Sequence, residues 1–213
     1  MTEPSAFGAD CALCPRLAAH RNDLRSRYPD YHNAPVAAFG DPSPRLLIVG
    51  LAPGLHGANA SGRPFTGDYA GILLYRTLYE MGLTSAPESL SADDGLTLDG
   101  ARITNAVKCL PPENKPTTVE ANTCQRFLEH EIEVLPVSTV LLALGTIAHR
   151  AVVRSAGARL SEYRFAHGAT HRLPDGRRLV DSYHCSRYNT QTGRLTAEMF
   201  AGVLASAWSL AVA

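Results

Sequence analysis

The sequence has no surplus of either charge: 20 Lys and Arg stand against 20 Asp and Glu in 213 residues. Bulk charge therefore does not make it a basic nucleic-acid binder, although a local basic patch can still steer a polyanion. It has no apolar run near the roughly 18 residues that a bilayer-spanning helix needs. Its opening, Met1-Thr2-Glu3-Pro4-Ser5, lacks the basic-then-apolar pattern of a secretory leader, so a cytoplasmic protein is expected. There is no internal repeat, low-complexity tract or domain linker. The composition is 45% hydrophobic and 19% charged, ordinary for a globular protein, which argues against a disordered chain. The length suits one domain that buries its core without staples.

Cysteine is scarce and odd in number: Cys11, Cys14, Cys109, Cys124 and Cys185. An odd count in a chain without a leader argues against a disulfide framework. Cys11 and Cys14 form a C-x-x-C, and Cys109 and Cys124 form a second pair fifteen positions apart. Four thiolates can ligate a tetrahedral zinc or an iron–sulfur cluster, and the spacing does not separate the two. A redox C-x-x-C is expected beside a βαβ pattern, not in an N-terminal segment of this kind. Four unrelated buried thiols are the plain alternative.

Short apolar runs at 45–51 and 138–144 and the stretches 102–107 and 179–183 read as strands, the first of them buried. Helical spacing appears at 15–26, 71–81, 118–134, 146–154 and 195–210, with Thr117 or Thr118 as an N-cap and Glu120 close behind. The alternation predicts an α/β fold: a single-domain, three-layer α/β/α with a mostly parallel four-stranded central sheet. Residues 1–45 read as an N-terminal extension of that domain. In such sheets ligands bind outside the carboxyl ends of the strands. Three strands run into polar loops there, at 52–68, 105–116 and 184–194.

Those loops carry a resemblance. Gly50-Leu51-Ala52-Pro53-Gly54, His56-Gly57-Ala58-Asn59 and Gly62-Arg63-Pro64-Phe65-Thr66-Gly67-Asp68 together resemble the first motif of uracil-DNA glycosylases, most of all the family 5 (UDGb) branch. Ile103-Thr104-Asn105-Ala106-Val107-Lys108-Cys109 with Pro111-Pro112 is similar to that branch's middle motif. Tyr183-His184, Ser186-Arg187 and Asn189-Thr190 with Thr192-Gly193-Arg194-Leu195 resemble its closing motif. The resemblance spans Cys11 to Leu195. It implies a 4Fe–4S cluster held by Cys11, Cys14, Cys109 and Cys124, the first two on the extension. It also implies a monofunctional DNA glycosylase that hydrolyses uracil from DNA and leaves an abasic site for base excision repair. Hypoxanthine and other deaminated bases are implied as further substrates. Many superfamily members place an acidic residue or Asn at the position of Ala52 to activate water; family 5 shares its absence.

Breaking an N-glycosidic bond builds positive charge on the sugar and negative charge on the base. The base must also leave the stack. Phe65 can stack on the flipped base, and the Asn105 amide can read its edge. His184 can donate to the departing base. Asp68 can position water or face the sugar cation; its plainer role is an N-cap for the next helix. Backbone amides from Ala52 and Gly54 onward can bind a polar edge, with His56 and Asn59 as secondary candidates in the same loop. Ser186, Arg187 and Asn189 offer substrate and phosphate contacts, and Tyr188 or Gln191 a wedge. Lys108, Asn114 and Lys115 are candidates for phosphate contacts beside the cluster. Cys185 reads as a packing residue, and no lysine nucleophile for strand cleavage is evident. The expected partner is DNA containing uracil or another deaminated base, bound by a monomer, with no membrane. The alternatives are a non-catalytic iron–sulfur or zinc nucleic-acid-binding protein and an α/β electron carrier.

Overall fold

The computed structural model describes residues 7–213. Its strands are β1 (Phe39–Gly40), β2 (Leu46–Gly50), β3 (Ala101–Asn105), β4 (Val140–Leu144), β5 (Thr170–Arg172) and β6 (Arg178–Ser182). They form one sheet in the order β1-β3-β2-β4-β6-β5. The inner four are parallel, and β1 and β5 pair antiparallel at the edges. The sheet thus has six strands where four were expected. The four strands expected from the sequence are its parallel centre. The two edge strands span only two and three residues and are partly exposed, so no run or alternation marks them. β1 also draws part of the 1–45 segment into the domain, through the pairing of Phe39 with Ile103.

The helices are α1 (Pro15–Arg27), α2 (Ala58–Ser61), α3 (Tyr69–Glu80), α4 (Thr118–Glu133), α5 (Thr146–Ser155), α6 (Arg187–Gln191) and α7 (Ala197–Val212). Successive strand residues point to opposite faces. On β2, Leu46 and Ile48 join the core under α3 and α7, with Leu74, Tyr75, Phe200 and Leu204. Leu47 and Val49 join the core under α4 and α5, with Leu128, Ile132, Ala148 and Val152. A strand covered on both sides has no polar face to show, which is why β2 and β4 are continuously apolar, while β3 and β6 bury Thr104, Asn105, Asp181 and Ser182 among their apolar residues. Thr117 and Glu120 complete a capping box at α4. Among the described residues no helix is long and apolar enough to cross a membrane.

A third core joins Leu17 of α1 to Val107, Cys124 and Phe127, with Cys11, Cys14, Cys109 and Ala52 packed against it. Arg16 ties the same two helices together, giving Nε and Nη2 to the two carboxylate oxygens of Glu120 at 2.7 Å each. From β2 the chain crosses to β3 on one side, then back past β2 to β4 on the other. The strand order reverses at β2, so a crevice opens beyond its carboxyl end.

Candidate active site

The crevice holds a cleft of about 450 Å³ that brings together Ala52, Gly54, Phe65, Asp68, Asn105 and His184. Ser186, Arg187, Tyr69 and Asn114 stand on its walls. Residues from three separate loops therefore meet at the carboxyl ends of β2, β3 and β6.

Gly50 ends β2, and its lack of a side chain shapes the floor. A Cβ there would lie 2.4 Å from Asn105 Oδ1 and 2.6 Å from Cε2 and Cζ of Phe65. Asn105 is 2% exposed, and its Oδ1 is buried with no hydrogen-bond partner among the described residues. Leaving a buried acceptor unsatisfied costs about 1–3 kcal/mol, and a ligand that donates there recovers it.

Phe65 has a left-handed backbone, φ +56°, which costs about 1–3 kcal/mol and persists only where neighbours enforce it. They do so here. Tyr75 Oη donates to Pro64 O at 2.9 Å, and Gly67 N–H donates to Ser89 O at 3.2 Å. The Thr66 and Ser89 hydroxyls meet at 2.7 Å. Arg63, 6% exposed, gives Nη1 to Ser89 Oγ at 3.0 Å and to Asp94 Oδ1 at 2.6 Å. A Cβ on Gly71 would lie 1.8 Å from the Phe65 carbonyl oxygen, so α3 packs its first turn directly on this loop.

Asp68 is the N-cap of α3: Oδ1 accepts from Gly71 N–H at 2.8 Å. Burial raises its carboxyl above the ordinary range, against the lowering by the Gly71 and Ala70 amides. A Cβ on Gly57 would meet Asp68 Cβ at 2.6 Å and Oδ2 at 2.7 Å, so that glycine gives the carboxylate its place. The capping and site positions are one and the same.

His184 follows β6 and stacks on Phe65, ring centroids 6.0 Å apart at 28°. Burial pushes its pKa down to about 4, so the ring is neutral at physiological pH. Asn189 Nδ2 donates to its backbone carbonyl at 2.8 Å. Tyr183 beside it lies between the His167 ring, 4.9 Å away, and the Arg194 guanidinium, 4.6 Å away. Asp181, fully buried on β6, accepts from His149 Nδ1 at 2.8 Å and His171 Nε2 at 3.0 Å, which anchors the strand that delivers His184.

Several expected contacts lie elsewhere. His56 is exposed and turns toward the segment after α1, its Nδ1 bonded to Tyr31 Oη at 3.0 Å. Asn59 is buried and donates to Asn33 Oδ1 at 2.9 Å, tying the loop to the segment after α1. Asn189 braces the His184 carbonyl and does not line the cleft. Lys108 is 1% exposed, with Nζ 2.7 Å from Glu131 Oε2 and 2.6 Å from Thr104 Oγ1, so it does not reach a phosphate. The 184–194 loop contains the short α6, capped by Ser186, with Tyr188 70% exposed on it. Cys185 is fully buried and burial raises its thiol pKa, as a packing residue would have it. Tyr69 was missed: it stands under Arg187, 5.7 Å from the guanidinium, and accepts from Thr190 Oγ1 at 3.3 Å. So was the brace on Phe65 from residues 89–94. Only the folded chain brings them together, as no motif links Arg63 to Asp94.

The four cysteines expected as ligands line one small apolar cavity with Phe7, Leu17 and Phe127. All are free thiols. Burial raises Cys14, pushes Cys109 up to about 12 and Cys124 to about 11. Lys108 N–H donates to Cys124 Sγ at 3.3 Å. Among the described residues, His149, His171 and Asp181 are the one group of three or more such side chains with all ligand atoms within 4.8 Å.

A family profile, "Uracil DNA glycosylase superfamily", matches residues 37–207, which include every strand of the sheet and the whole cleft. The chain belongs to that superfamily. It is 52% identical to the type-5 uracil-DNA glycosylase of Thermus thermophilus, over 94% of each chain. It is 42% identical to the type-5 uracil-DNA glycosylase of Pyrobaculum aerophilum, over 92% of this chain and 86% of that one. Against the type-5 uracil-DNA glycosylase of Mycobacterium tuberculosis it is 41% identical, over 98% and 81%. A type-4 uracil-DNA glycosylase of Thermotoga maritima is 32% identical over 65% of this chain and 58% of its own. The branch is thus type 5, and Ala52 at the first motif accords with it.

Proposed function

We propose that this type-5 family member excises uracil, and other deaminated bases, from DNA by hydrolysis of the N-glycosidic bond. The observation that carries the reading is the unpartnered Asn105 Oδ1 at the floor of the cleft, beside the Phe65 ring. An Asn amide offers one acceptor and one donor side by side. Uracil presents the complement, N3–H and O4. Hypoxanthine presents the same pair as N1–H and O6, while cytosine presents the reverse. A base that pairs poorly is also the least costly to flip, which favours deaminated bases in mismatches.

In this reading Phe65 stacks on the flipped base. The neutral His184 ring donates one N–H to the departing base and steadies its anion, a charge that exists only as the bond breaks. The Asp68 carboxylate faces the sugar, where positive charge grows, and holds the attacking water. Ala52 supplies no chemistry and leaves room. The water's oxygen ends on the sugar carbon and its proton passes to Asp68 or solvent, leaving an abasic site. Ser186 at the rim is a phosphate contact. Arg187 and Arg194 are exposed beside the cleft and meet the backbone, so affinity falls with salt.

Cys11, Cys14, Cys109 and Cys124 fit a 4Fe–4S cluster. The donor set is all thiolate and the cavity that gathers it is apolar. Such a cluster supplies a rigid node or a one-electron centre. Here Cys109 follows Asn105 by four residues, and the 110–116 stretch beyond it carries Asn114 to the cleft wall. The cysteine site therefore shapes the DNA-facing loop. Cys109→Ser should lose iron and sulfide and weaken DNA binding while the fold persists; unchanged DNA affinity in a cluster-free variant would defeat this role.

The function is tested with a labelled duplex carrying one uracil, treated with hot alkali after incubation. Cleavage at the uracil is expected, and a duplex with hypoxanthine should also be cut. Intact strands in both would reject the assignment.

A further inference from the structure

We infer that Arg21 is the buried counter-ion of the iron–sulfur cluster, holding it in the protein and raising its reduction potential. This rests on the cluster reading above. Arg21 lies on α1, four residues after Leu17, which places it on the helix face that meets the cysteines. It is 6% exposed. Its Nη1 donates to the carbonyl of Cys11 at 2.9 Å, while its Nε is buried with no partner among the described residues.

The charge is what needs explaining. A buried guanidinium without an anion is costly. Among the described residues no carboxylate pairs with Arg21: Asp10, the acid that feels its charge, is at the surface and bonded to Arg25 at 2.8 Å. Glu120, the other acid by the cysteines, is bonded to Arg16. The cysteines are the remaining candidates: as free thiols they are neutral, and Cys11, Cys14, Cys109 and Cys124 gather around Leu17 of the same helix. Four thiolates around an iron–sulfur core carry a net negative charge and put an anion where the cation already stands. Adding an electron makes that anion more negative. A fixed positive charge and N–H donors beside it favour the reduced state, alongside the Lys108 N–H on Cys124.

The test uses the whole protein, with iron and sulfide assayed first, then a redox titration followed by visible absorbance. Arg21→Met removes the charge and keeps the bulk; Arg21→Lys keeps the charge. At the wild-type midpoint, the Met variant should hold at least tenfold less reduced cluster relative to oxidised. That is a downward shift of about 59 mV for a one-electron couple. The Lys variant should return to within threefold of wild type. Loss of the cluster from the Met variant but not from the Lys variant equally supports a counter-ion. A Met variant with its cluster intact and its potential unchanged overturns the inference. So does loss of the cluster from both variants, which would make the shape of the side chain the requirement. Wild-type protein without iron and sulfide would instead defeat the cluster reading, and this inference with it.

Discussion

Gly50→Ala perturbs the site with a single methyl group. The added carbon would sit 2.4 Å from Asn105 Oδ1 and 2.6 Å from two carbons of the Phe65 ring. Ordinary contact lies at 3.4 Å or more, so the amide and ring must each retreat by about 1 Å, a displacement able to cost about 100-fold in rate. Neither group has an easy path: Phe65 is fixed by the Ser89 and Tyr75 braces, and His184 stacks on its ring. Overpacking of this kind also costs about 1–3 kcal/mol of stability. The assay is single-turnover release of uracil from a labelled duplex, read by alkaline cleavage, with Tm measured alongside. The expected result is a loss of about 100-fold in rate and a Tm lower by several degrees. Gly202→Ala on α7 is the internal control. Its Cβ would meet nothing within 4 Å and it lies outside the cleft, so its rate should stay near wild type. A Gly50→Ala protein that is less stable but releases uracil at the wild-type rate would refute the placement of the base between Asn105 and Phe65.

Asp68→Asn should slow base release by about 100- to 1,000-fold, as loss of a charge aimed at the transition state does. Its stability should hold or rise: Asn caps a helix as well as Asp does, and burial already disfavours the folded carboxylate. Because that pKa is raised on folding, Asp68 favours the fold only at low pH and opposes it once ionised, so thermal melts of the variant should gain most near neutral pH. His184 carries the opposite sign. Its pKa falls from 6.5 to about 4 on folding, so its contribution to stability is complete above pH 6.5 and is lost as pH drops toward 4. The excision rate should show no histidine step between pH 5 and 8, and His184→Ala should remove both the acid-side loss of stability and most of the rate; a step near pH 6.5 would mean the ring is not buried in solution. Arg63→Ala leaves Asp94 without its cation and Phe65 without its brace, and should cost about 3 kcal/mol in a denaturant melt, with rate falling alongside.

Much of the architecture was legible in the chain. A strand buried on both faces is mostly apolar, so β2 and β4 declare themselves outright and β3 and β6 through their Ile, Leu and Val, while Thr117 or Thr118 with Glu120 behind it marks the start of α4 to within a residue. The edge strands β1 and β5 do not, because two or three half-exposed residues carry no pattern and owe their conformation to the neighbour they pair with. In the site, the motif order named Phe65, Asp68, Asn105 and His184, and the cleft contains all four.

Direction is another matter. His56 and Asn59 share the loop with Phe65 yet turn outward or inward, toward Tyr31 and Asn33, and Lys108 folds onto Glu131. A sequence determines which groups are available and which local backbone they ride on. It does not say which way a loop side chain points, since that depends on partners dozens of residues away. The Phe65 loop held through Thr66 by Ser89, and Arg63 by Asp94, are pairings of that kind. Their energies come from burial, which exists only once the helices close on the sheet.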